Sequence, residues 1–192
     1  MEPKIFFAVL SMVLSLGAFL PYVWSVFRNK AKPHPYTWII WFITQGTASL
    51  ALWYGNGGWG ALTISVGTFF VGVVALLSLR YGTKNITRTD TALLAFALLA
   101  LVVWWQLDAP ILAVVMVSLI DVIGYIPSWR KTAQDPASEP ILPWVLFSLG
   151  NFLSLLALTE YNLLTVTYLV TIMVANLVLI AIALWYTKHT HK

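Results

Sequence analysis

Two apolar stretches of the sequence carry aromatic rings and an amide at helical spacing. The first has Trp38, Trp41 and Gln45, and the second has Trp144, Phe147 and Asn151. Steps of three and four residues place each set on one face of a helix. We expect these faces to bind a small polar solute, because rings cover its apolar face while amides bond its hydroxyl or carbonyl groups. Two alternatives stay open: the amides only bridge packed helices, and the outermost tryptophans belong to an interfacial aromatic belt.

Asp121 is an acidic residue well within an apolar run, and Tyr125 and Ser118 lie one helical turn on either side of it. A charge at the centre of a membrane helix costs about 2.5–3.5 kcal/mol on insertion scales, so it needs a partner. We expect Tyr125 and Ser118 to donate hydrogen bonds to Asp121. The hypothesis is that Asp121, together with Tyr125, forms a site that binds substrate or takes up a proton; the alternative is an acid that only joins helices. Asn176 is a further amide, in the middle of the last apolar run.

Several chemical functions lack their residue patterns in this sequence. There is no cysteine, hence no disulfide, thiolate nucleophile or sulfur-ligated metal. No phosphate-binding G-x-x-x-x-G-K-[ST] loop, G-x-S-x-G elbow or H-E-x-x-H helix occurs. His34, His189 and His191 have no spacing suited to a metal site, and we expect them to be solvated. The sequence therefore predicts no enzyme activity, no cofactor and no metal.

The elements that must position these residues follow from composition. Of 192 residues, 60% are hydrophobic and 9% are charged, and the mean hydropathy is +0.84. Soluble domains are about 45–50% apolar and about 25% charged, so lipid must be the solvent here, which excludes a disordered chain, a coiled coil and an ordinary cytosolic enzyme. The sequence predicts an all-α membrane protein with seven transmembrane helices of roughly 20 residues. The apolar runs are 5–27, 36–54, 58–79, 91–107, 109–129, 139–158 and 163–186.

The eleven Lys and Arg residues contribute to a net charge of +4 and a pI near 9.4. They lie in short clusters between the apolar runs and not along one helix face, which argues against nucleic acid as a partner. With seven spans, ten of the eleven fall on one side of the membrane and only Lys4 on the other. The positive-inside rule therefore places the N-terminus outside and the C-terminus in the cytoplasm. An even number of spans would scatter these charges, so the asymmetry also favours seven.

The first three and the last three runs coincide at a shift of 106 residues. The aligned pairs are Pro21 and Pro127, Trp38 and Trp144, Trp41 and Phe147, and Gln45 and Asn151. Run ends, the basic first loop and the helix-breaking prolines coincide without a gap. This predicts two parallel three-helix repeats, residues 1–82 and 109–192, joined by a linker helix in residues 83–108, which is an internal symmetry known in transporters. The alternative is coincidental hydrophobic periodicity.

Three prolines lie inside or near the predicted cytoplasmic ends of spans: Pro21, Pro127 and Pro143. A proline inside a helix removes a backbone hydrogen bond and kinks the helix. Such kinks act as hinges in an alternating-access cycle or are static bends, and the sequence leaves both interpretations open.

Short motifs in both halves resemble the SWEET and PQ-loop superfamily of seven-span proteins. They are Phe19-Leu20-Pro21 with Trp38, Tyr125-Ile126-Pro127, Pro143-Trp144 and the segment 150–156. The Pro-Gln dipeptide of that superfamily is replaced by Pro21-Tyr22 and Pro127-Ser128. The resemblance implies a central substrate cavity, prolines that support rocking, and Trp and Asn residues that hold the substrate. The matching residues are Pro21, Pro35, Pro127 and Pro143 for the hinges, with Trp41 or Trp53 and Asn176 for the substrate.

The sequence thus predicts a transporter of a small polar solute that works by alternating access, and the resemblance implies a sugar facilitator of the SWEET class. Two alternatives stay open: a proton-coupled carrier of an amino acid or vitamin precursor such as nicotinamide riboside, and a receptor resembling the KDEL receptors. Asp121 favours the proton-coupled branch, whereas the confinement of Lys and Arg to loops and tails disfavours a receptor for acidic peptides. The expected partners are a small-molecule substrate and the lipid bilayer. A homo-oligomer is allowed but not required.

Overall fold

The computed structural model describes residues 2–29, 33–82, 88–134 and 141–190, and every regular element in these ranges is a helix. The seven helices are α1 (Pro3–Phe27), α2 (Pro35–Tyr54), α3 (Trp59–Tyr81), α4 (Arg88–Leu107), α5 (Pro110–Gln134), α6 (Ile141–Leu156) and α7 (Leu163–Thr190). Each helix coincides with one predicted apolar run, and their ends differ by at most five residues. The prediction of an all-helical chain is confirmed.

Some residues used in the sequence predictions lie outside the described part of the chain. They are Lys30, Lys32, Lys84, Asp135, Pro136, Glu139, His191 and Lys192. The described side chains also leave out those of Ile126, Pro127, Ser128, Arg130, Lys131, Lys188 and His189, whose backbone lies in α5 or α7.

Turn and cap residues set the limits of several helices. Pro35 is the first residue of α2, where a missing N–H is no loss because the first N–H groups of a helix have no partner within it. His34 caps this helix, since its ring Nδ1 accepts a hydrogen bond from the Thr37 backbone N–H at 3.5 Å. The prediction that His34 is merely solvated is therefore wrong. Before α3, Gly58 has a φ of +57°, a conformation that glycine adopts without strain.

The outer surface of the bundle is apolar. Three helical segments are long and apolar enough to cross a membrane, namely Pro3–Phe27, Trp59–Tyr81 and Leu163–Trp185. Large apolar side chains project outward, and Trp105 on α4 is 82% exposed. Broad apolar surface of this kind is unfavourable in water but expected against lipid tails. The helices and their surface therefore indicate a membrane protein.

We call α1, α2 and α3 the first group of helices and α5, α6 and α7 the second group. α3 packs against both α1 and α2, and α7 packs against both α5 and α6. The groups meet through α1 against α6 and through α2 against α5, while α4 packs on α2 and α5. Ala48, Val114 and Val117 are fully buried in the core cluster that also holds Tyr168. This core connects α2, α5 and α7 beside the site described below.

Hydrogen bonds join the two groups at the end of the bundle where α1 begins. Asn162 Nδ2 donates to the Gly55 carbonyl at 2.8 Å, and the Thr159 N–H donates to the Gly57 carbonyl at 3.1 Å. Lys4 Nζ donates to the Thr159 carbonyl at 3.2 Å. These contacts bring the turn between α2 and α3 against the connection between α6 and α7. We call this the sealed end of the bundle and the opposite one the open end.

Candidate solute-binding site

A cavity of about 700 Å³ lies between the two groups of helices, a size that suits one small molecule. The residues predicted to bind substrate all line it, namely Trp41, Gln45, Trp144, Asn151 and Asn176. Asp121 and Tyr125, predicted as a proton or substrate site, line it too. The structure therefore brings both predicted sets together around one cavity, although their binding roles stay predictions.

The two amides chosen from helical spacing, Gln45 on α2 and Asn151 on α6, are partly buried on the cavity wall. Within the described residues neither side chain has a hydrogen-bond partner. Gly67 on α3 leaves the space that the Gln45 amide occupies, because a Cβ there would lie 2.7 Å from Nε2. Amides without protein partners on an apolar wall are costly unless water or a solute bonds them. Both groups are therefore placed to bind a solute.

Four polar side chains that line the cavity join α5 to α7. The Tyr168 hydroxyl donates to Asp121 Oδ2 at 2.7 Å, and the Tyr125 hydroxyl donates to Asn176 Oδ1 at 2.7 Å. Asp121 is only 4% exposed, and Asn176 is fully buried. Two buried atoms, Asp121 Oδ1 and Asn176 Nδ2, have no hydrogen-bond partner among the described residues. We call these four side chains the polar cluster.

The prediction that Tyr125 and Ser118 donate hydrogen bonds to Asp121 is wrong. Ser118 Oγ donates to the carbonyl four residues earlier in its own helix, at 2.7 Å, which is a common alternative for a helical serine. The Tyr125 hydroxyl instead reaches Asn176 on α7. Tyr168 is the donor to Asp121, and it was not predicted because only the packing of α7 against α5 brings the two residues together.

Aromatic rings form much of the remaining wall. The ring centroid of Trp38 lies 5.2 Å from that of Trp41 and 5.2 Å from that of Tyr22. Phe19 on α1 meets Phe147 on α6 across the two groups, with centroids 5.9 Å apart. These rings give the cavity a largely apolar lining in which the few polar groups stand out.

Two triads of side chains correspond under the 106-residue shift. The first is Phe19, Trp38 and Phe70, and the second is Tyr125, Trp144 and Asn176. In the first triad the phenylalanine rings stack at 5.7 Å, and Phe19 lies 6.5 Å from the indole. In the second, the tyrosine bonds the asparagine at 2.7 Å and lies 5.8 Å from the indole. Sequence alignment of the halves could therefore have found Phe19, which lines the cavity but was not predicted.

Trp53, the alternative that the resemblance allowed for Trp41, takes a different place. Its indole N–H donates to Ser65 Oγ at 2.8 Å, and its ring is half exposed on the outer surface. It is not among the described residues that line the cavity, whereas Trp41 is.

Buried hydroxyl groups close the cavity towards the sealed end. Ser11 Oγ on α1 donates to the Gly150 carbonyl on α6 at 2.9 Å and lies 3.0 Å from Ser154 Oγ. Thr63 on α3 donates to the same Ser154 hydroxyl at 2.6 Å. Beyond them a Cβ at Gly60 would meet the Ser154 carbonyl, so glycine permits α3 to approach α6 closely. Three helices from both groups are thus joined below the cavity.

Towards the open end the cavity wall continues to the end of the bundle. Pro33 and His34, which precede α2, line the cavity together with Tyr22 in the last turns of α1. The described lining therefore extends from Pro33 and His34 near the open end to hydrogen-bonded hydroxyl groups towards the sealed end.

The four predicted hinge prolines occupy different positions. Pro21 lies inside α1 and lines the cavity. Pro143 also lines the cavity, near the described start of α6. Pro35 is the first residue of α2, so it breaks no hydrogen bond of that helix, and it is not among the described lining residues. Pro127 lies in α5, and its side chain falls outside the described ones.

The described residues contain no group of three or more His, Asp or Glu side chains placed to hold a metal ion. Compared with known proteins, the chain matches no family model, no curated protein and no solved structure. The fold and the site define its class: an all-helical protein with candidate membrane helices around a cavity lined by aromatic rings and a few polar groups.

Proposed function

We propose that this chain is a membrane transporter that carries a small polar solute by alternating access. The observation that carries the proposal is the cavity between the two helix groups, whose described lining extends towards the open end and ends in hydrogen-bonded hydroxyl groups towards the sealed end. We infer that the cavity is accessible from the open end alone, which is one of the two states between which such a carrier alternates. With the N-terminus outside, as the basic loops predict, the cavity faces the cytoplasm.

The packing supports two parallel repeats that rock against each other. In two such repeats α1 corresponds to α5, α2 to α6 and α3 to α7. The contact between α1 and α6 then corresponds to the contact between α5 and α2. In the same way, the contact between α3 and α6 corresponds to the contact between α7 and α2. All four contacts occur, and the two corresponding triads fit the same exchange. The moving units are then residues 1–82 and 109–192, with α4 as the linker.

The lengths of the other four helices support seven spans. α2 and α4 have 20 residues each, α5 has 25, and α6 has 16 in its described part. At about 1.5 Å per residue, 20 residues match a hydrocarbon layer about 30 Å thick. Because these helices pack against α1, α3 and α7, we infer that all seven cross the same layer.

The site favours some solutes over others. The rings and the amides of Gln45 and Asn151 suit a solute with apolar faces and hydrogen-bonding groups, as a SWEET-class sugar facilitator would carry. A proton-coupled carrier of an amino acid or vitamin precursor is the second candidate, favoured by the buried Asp121 on the cavity wall. A receptor for acidic peptides is disfavoured, because the described lining holds no Lys or Arg.

Transport can be tested without knowledge of the solute, by measuring whether a reagent reaches the cavity from both sides of the membrane. Since the chain has no cysteine, Ser15→Cys creates a single thiol on the cavity wall. In proteoliposomes of known orientation, we expect a membrane-impermeant methanethiosulfonate to modify this thiol from either side. Phe69→Cys is the matched control: this side chain is 64% exposed on the outer surface near the middle of α3, where hydrocarbon should exclude the reagent.

Modification of Ser15→Cys from one side alone would contradict alternating access and favour a static protein such as a receptor. Leakage of the reagent through the protein would also contradict alternating access, because such leakage would indicate a channel that is open to both sides at once.

A further inference from the structure

The described cavity lining carries one acidic side chain and no Lys or Arg. Asp121 is the only acidic residue among the described lining residues, and none of them is Lys or Arg. His34 is the single histidine of this lining, and it lies at the open end as the cap of α2. Inside a cavity of low dielectric constant, an ionised Asp121 carboxylate would therefore dominate the electrostatic potential.

The carboxylate is only half satisfied by its surroundings. Tyr168 bonds Oδ2, but the buried Oδ1 has no partner among the described residues. A buried charge without an opposite charge is costly, and one neutral hydrogen bond does not remove that cost. A cation inside the cavity would remove it.

The surrounding rings decide which kind of cation fits. Trp38, Trp41 and Trp144 line the same cavity as Asp121. A cation within about 6 Å of the face of such a ring is attracted by its quadrupole, and sets of aromatic rings bind quaternary ammonium groups. A strongly hydrated metal cation needs several oxygen ligands, and Asp121 supplies the one carboxylate of the described lining.

We propose that the solute is a small organic cation, a quaternary ammonium or protonated amine with a compact apolar body and no carboxylate of its own. Asp121 holds its charge, and the tryptophan rings cover its apolar body. A carboxylate on the solute is disfavoured because the described lining offers no Lys or Arg to pair with it. The inference rests on the proposed transport function, since it names the solute class of the same cavity.

Charge-selective modification tests the inference without a known solute. Ser15 and Asp121 are related by the 106-residue shift, so the proposed repeat places them at the same depth. The Ser15→Cys thiol is modified with a cationic reagent, trimethylammonium-ethyl methanethiosulfonate, and with an anionic one, sulfonatoethyl methanethiosulfonate. Each modification rate is divided by the rate of the same reagent with free mercaptoethanol, which corrects for the reagent's own reactivity. We expect the cation-to-anion rate ratio to fall at least about tenfold in Asp121→Asn, because the carboxylate attracts one reagent and repels the other. Asp121→Glu, which keeps the charge, should keep the ratio.

A second measurement uses the cavity with Asp121 in place, so it does not depend on the folding of Asp121→Asn. In choline a positively charged nitrogen carries the three methyl groups. In its neutral isostere, 3,3-dimethyl-1-butanol, a carbon carries them. We expect choline to slow the modification of Ser15→Cys by the sulfonatoethyl reagent at least about fivefold more than the isostere does.

An unchanged rate ratio in Asp121→Asn, or equal protection by choline and its isostere, would overturn the cation proposal. Transport itself would then still stand if the Ser15→Cys thiol is modified from both sides. One-sided modification together with a tenfold change of ratio would support the cation site and contradict transport, so the two proposals fail separately.

Discussion

The two groups of helices differ in polarity at positions related by the 106-residue shift. Where the first half has Ser15, Phe19, Leu62 and Phe70, the second has Asp121, Tyr125, Tyr168 and Asn176. In the first half two phenylalanine rings stack at 5.7 Å, whereas two hydrogen bonds of 2.7 Å hold the polar cluster of the second. The two groups therefore differ in what joins their side chains, a contact between apolar rings in the first group and hydrogen bonds in the second.

This difference separates two tasks in the proposed carrier. Apolar contacts have no directional requirement, so the rings of the first half can shift against their neighbours without breaking specific bonds. Hydrogen bonds are directional, so those of the polar cluster hold Asp121 and Asn176 in place, while one buried atom of each has no partner among the described residues. Recognition is then the task of the second half, and the first half completes the shape of the cavity.

Removing the charge of the polar cluster should have the largest effect. In proteoliposomes we expect Asp121→Asn to lower choline uptake at least about tenfold, or about 1.4 kcal/mol, because a neutral amide does not hold a cation. Ser118→Ala is the control, since this hydroxyl bonds its own helix and lies outside the described lining. Uptake is measured from acidic to mildly alkaline pH. An unchanged rate and an unchanged pH profile in Asp121→Asn would remove Asp121 from the mechanism.

Converting one triad into the other should have an intermediate effect. Tyr125→Phe leaves Asn176 Oδ1 buried without its donor, which should destabilise the fold by about 1–3 kcal/mol. The double variant Tyr125→Phe/Asn176→Phe recreates the ring pair of Phe19 and Phe70, so we expect part of that stability to return. Thermal unfolding in detergent measures both. A double variant less stable than Tyr125→Phe alone would show that the two triads are not interchangeable.

The smallest expected effect concerns the amide pair, where the halves agree. Gln45→Ala and Asn151→Ala should each weaken protection by choline about fivefold, since each removes one hydrogen bond worth about 1 kcal/mol. The titration of the Ser15→Cys modification rate with choline gives the apparent affinity. If choline protects the thiol equally well after both substitutions, the solute binds elsewhere. If only one substitution weakens the protection, the two amides do not have equivalent roles.

The helices and the facing of the amides could be predicted because both depend on local periodicity. The run 36–54 became α2 (Pro35–Tyr54), and every other run became a helix in the same way. Gln45 and Asn151 were expected to face something other than lipid, because an amide in an apolar run is costly there, and both line the cavity. His34 shows the limit of this reasoning, since its cap bond depends on local geometry that spacing does not reveal.

Taken alone, the sequence determined the number of helices, their limits and the residues too polar to face lipid, because hydrophobic periodicity and the cost of burying polar groups act within one segment. Tertiary structure alone decided that Tyr168, not Tyr125 or Ser118, bonds Asp121, and that Ser11, Thr63 and Ser154 close one end of the cavity. These partners lie 47 to 143 residues apart in the chain, so their meeting depends on which helix faces pack together.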